Sequence, residues 1–242
     1  MLGAAQAERE RPMTILLYEL VGADERRPFS PHCWKAALAL AHKGLAFRTV
    51  PVRFTEIAGI ENGATAKLPL IRDGDRLISD SFAIALYLEE TYPDRPTLFA
   101  GEGGKAMARF VERWSQLTLH TFIGEAALMD IHDMLGPADR AYFRESREAR
   151  FGRRLEEVPA DREARLPAFR ESLAPLRTLF RQQPFMGGER PLFADHIVAG
   201  ALQWARVTSP FSFLAADDPV AEWFARCLDL YDGLCRRVPA AA

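Results

Sequence analysis

Cysteine is scarce in this chain, three among 242 residues. An odd and sparse set excludes a disulfide scaffold and fits a reducing cytosol. Neither charge dominates: 31 Lys and Arg face 33 Asp and Glu, for a formal charge of −2. That excludes the global basic field of a nucleic-acid binder. No segment approaches the roughly 18 consecutive apolar residues of a membrane span. The first twelve residues, from Met1 to Pro12, are small or charged with no apolar run, and are read as a disordered tail rather than a signal peptide. Internal repeats and low-complexity tracts are missing too. What is present is 48% hydrophobic and 26% charged, ordinary for a chain that buries a real core. The expectation is a cytoplasmic protein that binds neither nucleic acid nor membrane.

Two kinds of periodicity divide the chain. Over residues 13–92 short strands alternate with helices. Thr14-Ile15-Leu16-Leu17-Tyr18-Glu19-Leu20 is a β-branched and apolar run suited to a strand buried on both faces. Ser30-Pro31 opens a helix with Trp34, Leu38 and Ala41 at helical spacing, and Gly44 follows its end. Phe47 to Val52 reads as a second strand, completing a βαβ unit. Asp73-Gly74-Asp75 between two apolar runs predicts a hairpin, and Asp80-Ser81 then caps a further helix. Residues 93–104, broken by proline and glycine, read as a linker. Beyond it every period is helical, with helices expected over 105–134, 139–157, 166–181, 194–207 and 219–236. The predicted fold is therefore an α/β domain followed by an all-α domain over 105–242.

Three short motifs could carry chemistry. Ser30 is a favoured cap and Pro31 suits the first helical position, so the pair can be purely structural. The same helix start offers unpaired N–H groups and partial positive charge to an anion. A serine hydroxyl has one donor and two lone pairs, so it can accept from the helix and still donate to a thiolate. Ser30 and Cys33 also occupy the outer positions of a C-x-x-C-like window at the first strand-to-helix junction. With serine first, the protein lacks the nucleophilic sulfur there, and a substrate could bring its own. In Lys67-Leu68-Pro69 the proline either begins an edge strand or forms a cis peptide that leaves the preceding backbone open to an extended peptide. Asp80-Ser81 either caps its helix or holds an amino-acid head.

These residues carry a resemblance. Ser30-Pro31, Leu68-Pro69 and the run from Asp80-Ser81 through Tyr87-Leu88 to Tyr92-Pro93 make the chain similar to the glutathione S-transferase family. Within it the likeness is greatest to bacterial β-etherases and fungal etherase-like, serine-type members. That likeness runs through Ser30-Pro31-His32-Cys33-Trp34-Lys35, His42-Lys43-Gly44 and the segment from Asp218-Pro219 through Trp223 to Gly233-Leu234. The resemblance implies a thioredoxin-like first domain that binds glutathione as co-substrate, an all-helical second domain and a homodimer. Ser30 would stabilise the glutathione thiolate, and Leu68 before a cis Pro69 would pair with the cysteinyl unit. Asp80 and Ser81 would hold the γ-glutamyl group, and Lys67 or Arg53 the glycine carboxylate. A hydrophobic, aromatic electrophile or aryl ether would be attacked in a pocket between the domains, with Phe29, Trp34, Trp114 and Phe122 as candidate lining.

Departures from the family pattern are few. Leu192 stands where a Ser or Thr usually caps the helix bearing Asp195, a loss of about 1 kcal/mol. Cys33 is unusual beside a catalytic serine and could form a mixed disulfide with glutathione, which keeps a thiol-transferase activity open. A non-catalytic ligand-binding or interaction protein on the same fold is the other alternative. The long charged loop 22–29 could reshape the mouth of the site. His120, Glu125, Asp130, His132 and Asp133 lack metal-ligand spacing, so no metal is expected. Cys227 and Cys235 read as core thiols, and the mixed-charge stretch 139–170 as a solvated helical face.

Overall fold

Six residues of unbroken apolar or β-branched character, Ile15–Leu20, form β1, buried along nearly its whole length. The computed structural model describes residues 14–242, so the tail expected over 1–12 lies outside the described residues. After β1 come α1 (Pro31–His42), β2 (Phe47–Val52), a kinked 3-10 stretch (Phe54–Gly63), β3 (Leu70–Asp73), β4 (Arg76–Ser79) and α2 (Ser81–Thr91). The sheet runs β2-β1-β3-β4, with β1 parallel to β2 and antiparallel to β3. Leu17 pairs with Thr49 on one side and Ile71 on the other, and Ile71 with Ile78 across the Asp73-Gly74-Asp75 turn. This is the thioredoxin-like arrangement. β2 lies at the sheet edge and keeps most of its residues exposed or half-buried.

The second half is helical, with more breaks than the periodicity suggested. The expected helix over 105–134 is four pieces: α3 (Glu102–Ser115), a π-helical turn (Gln116–His120), α4 (Thr121–Ala126) and α5 (Leu128–Asp133). α3 thus begins inside the stretch read as a linker. α6 spans Pro137–Phe151, and α7 (Arg162–Ser172) and α8 (Ala174–Phe180) replace one expected helix. α9 is Phe193–Thr208, and α10 is Pro219–Gly233, interrupted where Tyr231 and Asp232 adopt φ of +54° and +58°. No helix among the described residues is long and apolar enough to cross a membrane.

One apolar core runs through both halves. Phe82 of α2, Phe99 of the connector and Phe193 of α9 meet with ring centroids 5.5–5.8 Å apart. α9 also lies directly on α1: a Cβ on Gly200 would fall 2.7 Å from the Pro31 carbonyl oxygen, so only glycine permits the approach. A polar chain closes the same seam. His42 Nε2 donates to the Thr97 carbonyl at 2.9 Å, which makes its Nδ1 an acceptor for the Tyr231 hydroxyl, also at 2.9 Å. The Tyr231 oxygen in turn accepts from His196 Nε2 at 2.9 Å.

Leu192 at the start of α9 has no side-chain acceptor, so half of the capping box is missing. The other half persists. Asp195 accepts from the Leu192 N–H at 2.9 Å, the Met186 N–H at 2.8 Å and Trp223 Nε1 at 3.1 Å. Burial nevertheless pushes its carboxyl up to about 6.

Candidate functional site

The start of α1 meets the helical half at a cavity of about 520 Å³. Ser30 lines it as the N-cap of α1, and its Oγ accepts from the Cys33 N–H at 3.3 Å. One lone pair is thereby used, and the hydroxyl proton stays available for an acceptor in the cavity. Cys33 is not part of the lining, although its thiol lies beside the Ser30 hydroxyl and the Leu20 backbone, which are. It is 1% exposed, its Sγ lies 3.9 Å from the Tyr18 carbonyl, and burial pushes its thiol up to about 12. Burial and a raised pKa both act against thiolate formation at Cys33, the form that thiol exchange requires.

Around the helix start the other motif residues converge. The Leu68–Pro69 peptide is cis, and among the described residues no backbone group bonds the Leu68 N–H or C=O. The Asp80 N–H donates to the Pro69 carbonyl at 3.3 Å, which ties the two motifs together. Asp80 sits at φ +78° and caps α2, its Oδ1 accepting from Phe82 N at 2.9 Å and Ala83 N at 3.0 Å. A non-glycine residue at positive φ is strained and is found chiefly at sites that require it. Ser81 beside it is buried.

The two candidate cations differ sharply. Arg53 is engaged by Glu25 at 2.8 Å and Glu56 at 3.3 Å, so it is not free for a ligand carboxylate. Lys67 is exposed, makes no ion pair among the described residues, and its charge reaches His32 in the cavity wall. A third cation, Lys35, carried part of the family likeness in the sequence but was given no role there. Lys35, with no exposed side-chain surface, donates to Glu112 at 3.0 Å and to His32 Nδ1 at 3.2 Å, and it feels the charge of Asp80.

Of the four aromatic residues expected to line the pocket, Phe29 does. Trp34 is buried in the core with Nε1 donating to the Pro28 carbonyl at 3.1 Å. Phe122 stacks on Phe169 at 4.5 Å, and Trp114 packs half-buried against the core. The lining is instead Phe54, Phe143, Phe151 and Trp204, with His32, His120 and the arginines 113, 147 and 150. His32 and His120 lie 5.1 Å apart, and burial holds them neutral, pulled down to about 3 and about 2. The π turn delivers Gln116 and His120 to the cavity, a placement that a 3.6-residue period does not predict. The loop 22–29 reaches the helical half through Ala23 N to Met134 O at 3.0 Å and Arg27 Nη2 to Val207 O at 2.6 Å. Among the described residues no group of three or more His, Cys, Asp or Glu side chains is placed to hold a metal.

This arrangement has known counterparts. The chain is similar to a glutathione transferase (GSTFuA3) of Phanerochaete chrysosporium, at 27% identity and TM-score 0.72, over 91% of this chain and 92% of that one. It shares its fold with a glutathione S-transferase of Ceriporiopsis subvermispora crystallised with glutathione, at 23% identity and TM-score 0.75, over 94% and 100%. By sequence it is 33% identical to a zeta-class glutathione S-transferase of Euphorbia esula, over 40% of this chain and 49% of that protein. It is 28% identical to the glutathione S-transferase-like protein ustS of Aspergillus flavus, over 52% and 49%. The chain thus matches about half the length of these two relatives. The family model for the glutathione S-transferase N-terminal domain matches residues 26–96, which hold the serine, the cis proline and the strained aspartate. With the C-terminal domain model matching residues 106–229, the cavity between the two halves lies in a chain that belongs to the glutathione S-transferase family.

Proposed function

We propose that this protein binds glutathione along the α1–α2 edge of the α/β domain and directs its sulfur at an aromatic electrophile or aryl ether carbon in the cavity. The observation that carries the reading is Ser30, whose accepting capacity serves the helix while its proton remains available to a sulfur in the cavity. In this reading the hydroxyl and the first N–H groups of α1 stabilise the thiolate. The open backbone of Leu68 pairs with the cysteinyl unit, Asp80 and Ser81 hold the γ-glutamyl head, and Lys67 takes the glycine carboxylate. The thiolate forms the new C–S bond as the bond from carbon to the leaving group breaks. The leaving group departs with the electron pair, and the thiol proton goes to solvent. Rate comes from thiolate population and positioning rather than from a protein nucleophile. Relatives crystallised with glutathione support the first half of this reading.

Ether cleavage rests on the segments around Ser30–Lys35 and 218–234, whereas the curated relatives are zeta-class or ustS-like. A panel of aryl ethers, chloronitroaromatics and hydroperoxides decides between them. A homodimer is part of the proposal. Met107, Phe110 and Leu117 form an exposed apolar stripe along α3 and the π turn, more than half of each side chain in solvent. The three buried free thiols fit a cytoplasmic location.

Ser30→Ala tests the reading. A loss of one to two units of acidification corresponds to a roughly ten- to hundredfold fall in turnover at neutral pH. Glutathione affinity measured by calorimetry stays close to wild type, and the acidic limb of the pH profile, where the thiol ionises, moves to higher pH. Unchanged turnover with an unchanged profile removes Ser30 from its role. A wild-type protein that does not bind glutathione removes the reading as a whole.

A further inference from the structure

The cavity is aromatic, yet its charge is one-sided. Arg147 and Arg150 stand one turn apart on α6, and Arg113 comes from α3; all three line the cavity. Among the described residues none of them pairs with a carboxylate. Arg113 donates to the Gln116 amide oxygen at 3.3 Å and Arg147 to the Ser146 hydroxyl at 3.1 Å. The Arg147 guanidinium lies 4.6 Å from the Phe143 ring centre and 5.8 Å from that of Phe54, and Arg150 lies 5.4 Å from that of Phe151. The contrast on the same helix is clear. Arg144 is engaged by Glu148 at 3.0 Å and Glu156 at 2.8 Å. Glu125, the acid in the lining, is held by Arg165 at 2.5 Å. Lys35 beneath the wall is matched by Glu112, and His32 and His120 are neutral.

Like charges at this spacing repel, and burial together with Arg150 makes it harder for Arg147 to keep its charge. A bound anion relieves both costs. Guanidinium groups packed on aromatic faces present their forks to planar carboxylates. We infer that the second substrate is an aromatic carboxylate, its ring among Phe29, Phe54, Phe143 and Phe151 and its anionic group on Arg147 and Arg150. This deepens the proposed function and rests on it for the placement of glutathione.

The test uses the full chain with two ligands of one shape, 4-chloro-3-nitrobenzoate and 4-chloro-3-nitrobenzamide, titrated by calorimetry with and without glutathione. The wild type is expected to prefer the benzoate by about tenfold or more, the usual scale of a charged hydrogen bond. Salt should erode that preference. Arg147→Gln with Arg150→Gln should abolish it while leaving the affinity for the amide in place, and Arg147→Lys should retain part of it. Because Arg147 packs on two rings, Arg150→Gln alone serves if the double variant does not fold, and a several-fold loss specific to the benzoate is then expected. Equal affinity for the two compounds in the wild type, no binding of either, or an unchanged preference in the variants overturns the inference. So does a parallel loss of glutathione affinity in the double variant, which would assign the arginines to glutathione. A wild type that prefers the benzoate but does not bind glutathione would sink the proposed function and leave an aromatic anion site.

Discussion

The α/β half builds its side of the cleft chiefly from main chain: a helix start, an open cis-peptide segment and a strained helix cap. The helical half builds its side from long side chains: three arginines, a histidine and three aromatic rings, joined by Phe54 from the sheet side. The first kind of surface is hard to alter by substitution, since every residue carries the same backbone groups. The second can be altered one residue at a time without touching the first. In the proposed function the first surface takes glutathione and the second the acceptor.

The division depends on the two halves being held in register, so it can be tested at the seam. Gly200→Ala drives a methyl to 2.7 Å from the Pro31 carbonyl. A cost of about 1–3 kcal/mol, the usual range for overpacking, is expected in thermal melting. If the halves are coupled as described, turnover falls beyond what the stability loss explains, because the first turn of α1 carries Ser30. Full activity in a destabilised Gly200→Ala protein would show the halves to be independent.

A smaller effect concerns pH. Histidines 32 and 120 are neutral in the folded protein down to about 3 and about 2, whereas an unfolded histidine titrates near pH 6.5. Between those values the unfolded chain binds protons that the folded one refuses, so stability falls as pH drops below about 6.5. Glu19, raised to about 7 by burial, acts in the opposite sense, losing stability as pH rises through neutrality. His120→Gln should flatten the loss of melting temperature between pH 7 and 5. An unchanged slope would mean that the wall takes up protons without cost.

Smallest is the cap of α9. Leu192→Thr restores the missing acceptor and should raise stability by up to about 1 kcal/mol, or a few degrees in melting temperature. Activity should not change, because Leu192 does not line the cavity.

The two halves also differed in how far residue order foretold them. Ser30-Pro31, Asp73-Gly74-Asp75 and Asp80-Ser81 are punctuation whose local geometry follows from the residues themselves, and the structure places them at a helix cap, a hairpin and a strained helix cap. The acceptor wall is another matter. Aromatic residues at helical spacing announce burial without saying on which side, so Trp34 and Phe122 proved to be core, while Phe54 and Trp204 reached the cavity. α6 reads as a solvated charged face, and most of it is; only the tertiary arrangement brings half-buried Arg147 and exposed Arg150 to the cavity. The π turn at Gln116–His120 rotates its side chains by an amount that helical periodicity does not register.

The Tyr231 hydroxyl bears on how readily the two halves could part. From the His196 ring through Tyr231 and His42 to the Thr97 carbonyl, each hydrogen has a single permitted direction, and His196 Nδ1 ends the file with nothing to receive. Parting the two halves would strand several buried polar atoms at once. That loss adds to the close packing of Gly200 on Pro31 in holding α1 and α9 together behind the cavity.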